Sequence, residues 1–285
     1  MKLSHLLLPL LLAGAFSAGA ALPPLGAVDR LAGDYFARRL MPPFPQRLTM
    51  DEGLQVQRDF VKLLQPKLGK PVGYKVGLVS REAQRRWGID QPVRGVLLEK
   101  MLLPDNSEVR AGFGVAPLLE ADLIVTVKDA GINKAGTPLE VLRHLKEVVA
   151  FIELPDAYIS TNSPTDGAAL AAVNVGARLG VLGSRVPVKA TQKFADSLAS
   201  MTVVLTDELG LEMGRGQGSV ILDHPLNAVL WLIEDVNLAG DVLRPGDLLS
   251  LGSIRMMPFP PAKSVTVTYD GLPGGPMKVT LRIKP

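Results

Sequence analysis

The hydrophobic and polar positions fall into two periods. Near the start of the chain they repeat with helical spacing. Thr49-Met-Asp-Glu52 has the form of a capping box, and Leu54, Phe60, Val61 and Leu64 give the residues after it an apolar stripe. A helix is predicted from there to about Leu64, with a shorter helical patch over Leu31 to Leu40. Pro71 to Val79 is a glycine-punctuated strand, and Arg81 to Trp87 a short helix. Leu118 to Val127 is a strand. Thr137-Pro-Leu-Glu140 is a second capping box with Pro at the first helical position, and its helix is expected to run to about Ala150. Phe151 to Ile159 is extended, and the Ala-rich stretch from Asp166 to Leu179 is read as helical. Ser200 to Thr206 and Leu211 to Arg215 pair around the Asp207 to Gly210 turn. Pro225 to Leu238 is an apolar helix. Strands at Leu248 to Leu251, Ser264 to Tyr269 and Met277 to Ile283 close the chain.

Strands and helices do not alternate regularly, which argues against a doubly wound parallel sheet. The expected class is α+β, a mixed, strongly curved β-sheet with flanking helices. Residues 21–70 form an N-terminal helical segment and 71–285 one larger domain. Residues 1–20 read differently. Met1-Lys2 is a positive start, Leu6 to Leu12 is apolar, and Ala18-Gly19-Ala20 is a small-residue cleavage site. That is the pattern of a signal peptide, so export, to a periplasm, is expected. No segment is long and apolar enough to suggest a transmembrane span.

Composition narrows the chemistry. With no cysteine, disulfides, thiolate metal sites and cysteine nucleophiles are excluded. A net charge of +3 with scattered cations gives no footprint for nucleic acid. No G-x-S-x-G elbow occurs, and Gly214-Arg-Gly-Gln-Gly218 lacks the frame of a phosphate loop, so it is read as a flexible turn.

The informative residues are acids inside apolar runs: Glu120 and Asp122 in Leu-Leu-Glu-Ala-Asp-Leu-Ile-Val, and Glu153 beside Phe151, Ile152 and Leu154. A strand alternates its faces, so Glu120 and Asp122 point the same way. Either that face meets water, or two carboxylates share an apolar setting where a hard cation would relieve their repulsion. Lys75, between Gly73 and Gly77, could bind a carboxylate or stabilise an enolate, and the flanking glycines would let a ligand approach the backbone. Asn174 either satisfies a local backbone group or hydrogen-bonds a substrate. His224 starts a helix and reads as structural, His144 as solvated on a charged helix, and Asp156 as a turn residue.

Taken in order, Gly73-Tyr-Lys-Val-Gly-Leu78, Gln91-Pro-Val-Arg-Gly95, Pro117-Leu-Leu-Glu-Ala-Asp122, Ile152-Glu-Leu-Pro-Asp156, Gly216-Gln-Gly218, the helix start at His224-Pro225, Pro245-Gly-Asp247 and Leu251-Gly-Ser253 resemble the fumarylacetoacetate hydrolase superfamily. Within it they are most similar to the branch of 2-keto-4-pentenoate hydratases and 4-oxalocrotonate decarboxylases. The resemblance implies Mg²⁺ or Mn²⁺ on Glu120, Asp122 and Glu153, with Lys75 as a catalytic and substrate-side residue and Asn174 as a substrate contact. It implies a small-molecule 2-oxo acid as substrate, an enolate intermediate and a homo-oligomer. Hydration of a 2-hydroxydienoate is the leading expectation. Decarboxylation, diketone C–C hydrolysis and non-catalytic keto-acid binding are the alternatives. The chain departs from the pattern at four places. Asp122 replaces a Glu, Ala157-Tyr158 replaces Ser-Arg, Val173-Asn-Val-Gly176 replaces Asp-Asn-Ala-Ser, and Asp223 replaces a Gly.

Overall fold

The structure, a computed structural model, describes residues 26–159 and 166–285. The signal-peptide expectation for residues 1–20 lies outside the described residues. Seven α-helices and thirteen strands are laid out in order among those described. The first are α1 (Ala27–Ala37), α2 (Met50–Leu68), β1 (Pro71–Gly77), α3 (Arg81–Arg86), β2 (Val93–Leu98), β3 (Leu102–Pro104) and β4 (Glu108–Arg110). Then come β5 (Leu118–Val127), α4 (Pro138–Arg143), β6 (Leu145–Leu154), α5 (Gly167–Ala172), β7 (Leu179–Pro187) and α6 (Gln192–Ser200). The chain ends with β8 (Thr202–Asp207), β9 (Glu212–Gln217), α7 (Pro225–Leu238), β10 (Leu248–Ser250), β11 (Arg255–Pro258), β12 (Ser264–Asp270) and β13 (Met277–Lys284).

Two sheets carry the fold. The larger runs β2-β1-β10-β5-β6-β7-β3, with β11 also on β5, and the smaller runs β4-β13-β12-β8-β9. The larger is mixed: β1–β10 and β3–β7 pair parallel, the other neighbours antiparallel. The expected mixed sheet with flanking helices is therefore the observed architecture.

Alternation decides which residues meet the core. On β5, Leu119, Ala121, Leu123 and Val125 join Ile152 and Ala150 of β6 in the main apolar cluster, shared with Val265, Val267 and Tyr269 of the second sheet. Each large aliphatic side chain sealed there contributes about 1.5–3 kcal/mol. The other face carries Ile124, Val149, Phe151 and Leu97 in a separate small cluster. β5 is thus buried on both sides, which is why its sequence is apolar almost throughout. A further cluster joins Leu31, Tyr35 and Phe60 of α1 and α2 to Leu98, Tyr158 and Ala172.

Local chemistry explains most boundaries. The Thr49 hydroxyl accepts from Glu52 N–H at 3.3 Å while the Glu52 carboxylate accepts from Thr49 N–H at 2.6 Å, so the predicted capping box closes reciprocally. At the second box only half forms. The Thr137 hydroxyl accepts from Glu140 N–H, but the Glu140 carboxylate reaches past it to Gly136 N–H. That helix stops at Arg143 rather than near Ala150, and Leu145–Ala150 belongs to β6, paired to β5 and β7. Tertiary pairing overrides the helical propensity of Leu-Lys-Glu-Val-Val-Ala. His144 is the helix's C-cap and bonds Asp129 at 2.7 Å; it is not a free surface residue. The Ala-rich helix likewise ends at Ala172, and Leu179 begins β7. Residues 214–217, read as a flexible turn, lie in β9 and pair with β8.

His224 caps α7 with an unusual donor set. Its Nδ1 accepts from Leu226 N–H at 3.1 Å, so Nε2 carries the proton and donates to Ala195 C=O at 3.0 Å. Burial holds the imidazole below its ordinary pKa. A histidine kept neutral by the fold contributes stability above its unfolded pKa, and that contribution is lost as pH falls through about 6.5. Replacing His224 with Ala should cost about 0.5–2 kcal/mol at pH 8, read from the urea midpoint, and less at pH 5. An equal cost at both pH values would contradict the assignment.

Candidate active site

The face of the large sheet opposite the main core brings the predicted acids together. Glu120 and Glu153 are cross-strand register partners on β5 and β6, and Asp122 lies two residues along, opposite Phe151. On β1, Lys75 is in register with Ser250 of β10, which is in register with Ile124 of β5. Period-two alternation therefore puts Lys75, Ser250, Asp122, Glu120 and Glu153 on one face. Lys75, Asp122 and Glu153 are buried, at 3%, 0% and 2% exposure; Glu120 is partly exposed. Asp122 and Glu153 do not face bulk water, so the solvated-strand alternative does not describe them.

The local backbone is shaped around Asp122. Ser250 faces Ile124 and Arg255 faces Ala121, so the β10–β11 strand uses five steps where β5 uses three. Within this bulge Leu251 N–H reaches Leu123 C=O and Ile254 N–H reaches Ala121 C=O, each bracketing the gap. Gly252 N–H instead turns to Asp122 Oδ1 at 2.8 Å. Leu123 N–H also donates to Oδ1, and the Ser250 hydroxyl donates to Oδ2. Three donors occupy Asp122, which leaves it about one of a carboxylate's four acceptor sites. From the core side, Tyr269 of β12 places its hydroxyl 2.5 Å from Asp122 C=O and 2.8 Å from Phe151 C=O, and it accepts from Phe151 N–H at 3.3 Å.

Lys75 is the positive charge among the acids. Its ammonium is ion-paired with Glu153 and donates to Val175 C=O at 3.1 Å. Ser253 brings its hydroxyl to Glu120. One ammonium balances one carboxylate. The other two carry the consequence: burial, then the Glu153 charge, push Glu120 up to about 8 and Asp122 up to about 7. Lys75 is itself held above its ordinary pKa, because the charges of Glu153 and Glu120 outweigh the cost of its burial.

The glycines around Lys75 serve packing rather than ligand approach, contrary to the expectation from sequence. A Cβ on Gly73 would lie 1.9 Å from Leu248 C=O, and one on Gly77 2.5 Å from the Val175 side chain. The glycine that the lysine itself requires is Gly95, where a Cβ would lie 2.7 Å from Lys75 Cγ. Asn174 does not face this cluster with free polar atoms. Its Oδ1 accepts from Val96 N–H at 2.7 Å and its Nδ2 donates to Val96 C=O at 2.9 Å. Asn174, Val175 and Gly176 all have positive φ, 56°, 54° and 65°. For β-branched Val175 this is a costly conformation, held by the Asn174 clamp and by Asp156 N–H on Gly176 C=O. Asp156 is buried, accepts from Val115 and Ala116 N–H and pairs with Arg178, anchoring the loop before β5.

The oxygen donors suit a hard divalent cation in type, and Glu120 and Glu153 retain unused acceptor capacity. Among the described residues, however, no three Asp, Glu or His side chains converge closely enough to form a ready metal-binding group. The Lys75 ammonium stands among the acids in this arrangement.

Tyr269, Ser250 and the Asn174 clamp escaped sequence reasoning. Their partners lie far off in sequence: 147 residues separate Tyr269 from Asp122, 128 separate Ser250 from Asp122 and 78 separate Asn174 from Val96. Replacing Tyr269 with Phe should cost about 1–3 kcal/mol, since it strips a buried partner from Asp122 and Phe151. A denaturant midpoint equal to that of the unaltered protein would remove the hydroxyl from this role.

No protein-family model matches the chain. It is 31% identical over 202 residues to 2-keto-4-pentenoate hydratase 1 of Dechloromonas aromatica (strain RCB), covering 70% of this chain and 74% of that one. It is 24% identical to 4-oxalocrotonate decarboxylase of Pseudomonas putida, covering 79% and 83%. Among solved structures it is similar to 4-oxalocrotonate decarboxylase from Pseudomonas putida G7 complexed with magnesium and adipate. There the TM-score is 0.78 at 21% identity, over 91% of this chain and 96% of that one.

Proposed function

We infer the activity from one premise: the chain belongs to the 2-keto-4-pentenoate hydratase family of the fumarylacetoacetate hydrolase superfamily. We propose that it is a metal-dependent lyase that adds water to a 2-hydroxydienoate such as 2-hydroxypenta-2,4-dienoate. The observation that carries this reading is the single sheet face on which Glu120, Asp122, Glu153 and Lys75 meet, three of the four buried.

Glu120, Asp122 and Glu153 would hold a divalent cation, Mg²⁺ or Mn²⁺, which when bound supplies Lewis-acid polarisation of the substrate's 2-oxo group. The remaining chemistry belongs to the chain. The dienol becomes the 2-oxo-3-ene when C5 is protonated, and water then adds at C4 to give 4-hydroxy-2-oxopentanoate. Both steps pass through negative charge delocalised onto the C2 oxygen. The Lys75 ammonium, in dry surroundings and bonded to Val175 C=O, would hold the substrate carboxylate or that developing charge. Asn174 supports this arrangement through Val96 and is assigned no contact with substrate. Loss of CO₂ from a related 2-oxo acid uses the same enolate, and relatives named 4-oxalocrotonate decarboxylase also cover 79% of this chain.

Turnover of 2-hydroxypenta-2,4-dienoate, followed by loss of the dienol absorbance, should require added Mg²⁺ or Mn²⁺. Glu120→Gln and Glu153→Gln should each lower it by about a hundredfold or more. Undiminished turnover in either variant would take that residue out of the site. Release of CO₂ from 4-oxalocrotonate without hydration would instead make the protein a decarboxylase.

Metal uptake should also depend on pH in a fixed direction. The carboxyls of Glu120 and Asp122 are raised in the fold, so they bind protons that a cation must displace. Raised acids make the metal-free fold lose stability as pH climbs from about 4.5 towards 8, because the folded state binds more protons than the unfolded. Added Mg²⁺ should therefore raise the melting temperature more at pH 8 than at pH 6. A shift that shrinks with rising pH would contradict the three-carboxylate site.

A further inference from the structure

We propose that Lys75 is a resident counter-cation of the acidic cluster, which holds Glu153 until a divalent cation arrives and then gives it up while remaining on Val175 C=O. This rests on the reading of Glu120, Asp122 and Glu153 as the metal-binding acids.

Two observations lead here. First, the buried Lys75 ammonium is paired with Glu153, so it and an incoming cation compete for one carboxylate. Second, Lys75 has another anchor that no cation would contest, the Val175 carbonyl at 3.1 Å.

That second anchor is built at a cost. Val175 sits at φ 54° between Asn174 at 56° and Gly176 at 65°. The turn is pinned on both sides, by both ends of the Asn174 amide on Val96 and by Asp156 N–H on Gly176 C=O. Tyr158 adds a bond from its hydroxyl to Val173 C=O at 2.9 Å. A strained turn held this firmly needs a structural reason, and here it aims a carbonyl at an ammonium that is 3% exposed. Beside the same turn, Gly95 leaves room for both the lysine stem and Asn174 C=O. The lysine can thus release Glu153 without losing every partner in a dry site, where an unpaired ammonium would be costly.

The experiment reads metal binding, not turnover, so its result does not depend on which keto acid is the substrate. Mg²⁺ and Mn²⁺ are titrated calorimetrically at pH 8 into the full chain and into Lys75→Met. If the lysine occupies Glu153 in nine of ten molecules or more, removing it should tighten the apparent dissociation constant by about tenfold or more. The variant should also melt lower than the unaltered protein without metal and recover with it. Binding by Lys75→Met when the unaltered protein shows none would support the proposal equally. An unchanged or weaker dissociation constant in the variant would overturn it. Should the variant fail to fold, the unaltered protein crystallised with Mn²⁺ answers instead. Lys75 away from Glu153 and still on Val175 C=O is the expected result, and an intact Lys75–Glu153 pair beside the bound metal is the overturning one. If neither protein takes up metal, both this proposal and the metal-dependent reading fail; if only the hydratase assay fails, this proposal stands.

Discussion

Three carboxylates on one buried face of a sheet, with one ammonium among them, set the terms for the rest of this structure. In a dry setting each uncompensated charge is expensive, and the lysine can neutralise only one of the three. The residue of that imbalance is visible in the raised carboxyls of Glu120 and Asp122. Two protons or one divalent cation would each complete the balance.

The supports of the cluster come from places far apart in sequence. The β10–β11 bulge turns Gly252 N–H towards Asp122, and Ser250 adds its hydroxyl. Tyr269 reaches through from the second sheet to the backbone of Asp122 and Phe151, so the two sheets are joined directly behind the acids. The Asn174–Gly176 turn sets the position of Lys75. Each device fixes a side chain of the cluster by its backbone or its acceptor capacity.

Much of this was legible in the chain. β5 and the common face of Glu120 and Asp122 follow from alternation within an apolar run, and α7 and the final strands have the predicted places. The misreadings share one cause. Leu145–Ala150 suits a helix locally, and Leu179 continues an alanine-rich run, but both begin central strands because β5, β6 and β7 must pair across the sheet. Likewise the glycines beside Lys75 read as room for a ligand, whereas they make room for Leu248 and Val175. Long-range contacts of this kind leave no periodicity in the sequence.

The departures from the superfamily pattern sort themselves by position. Asp122 keeps a carboxylate in the row, though its three hydrogen bonds draw it back among its neighbours and leave the freer oxygens on Glu120 and Glu153. Two of the other changes lie at the turn that faces Lys75: Tyr158 bonds Val173 C=O, and Val173 and Gly176 start and end the turn; Asp223 lies apart from it, before the α7 cap His224. An acid, an arginine and two hydroxyls expected from the resemblance have become apolar or inward-bonded groups. Divergence has therefore fallen on the surroundings of the lysine more than on the acids. Since a substrate's carboxylate end is what an ammonium and its polar neighbours recognise, the proposed keto-acid specificity should differ at that end from what the superfamily pattern implies.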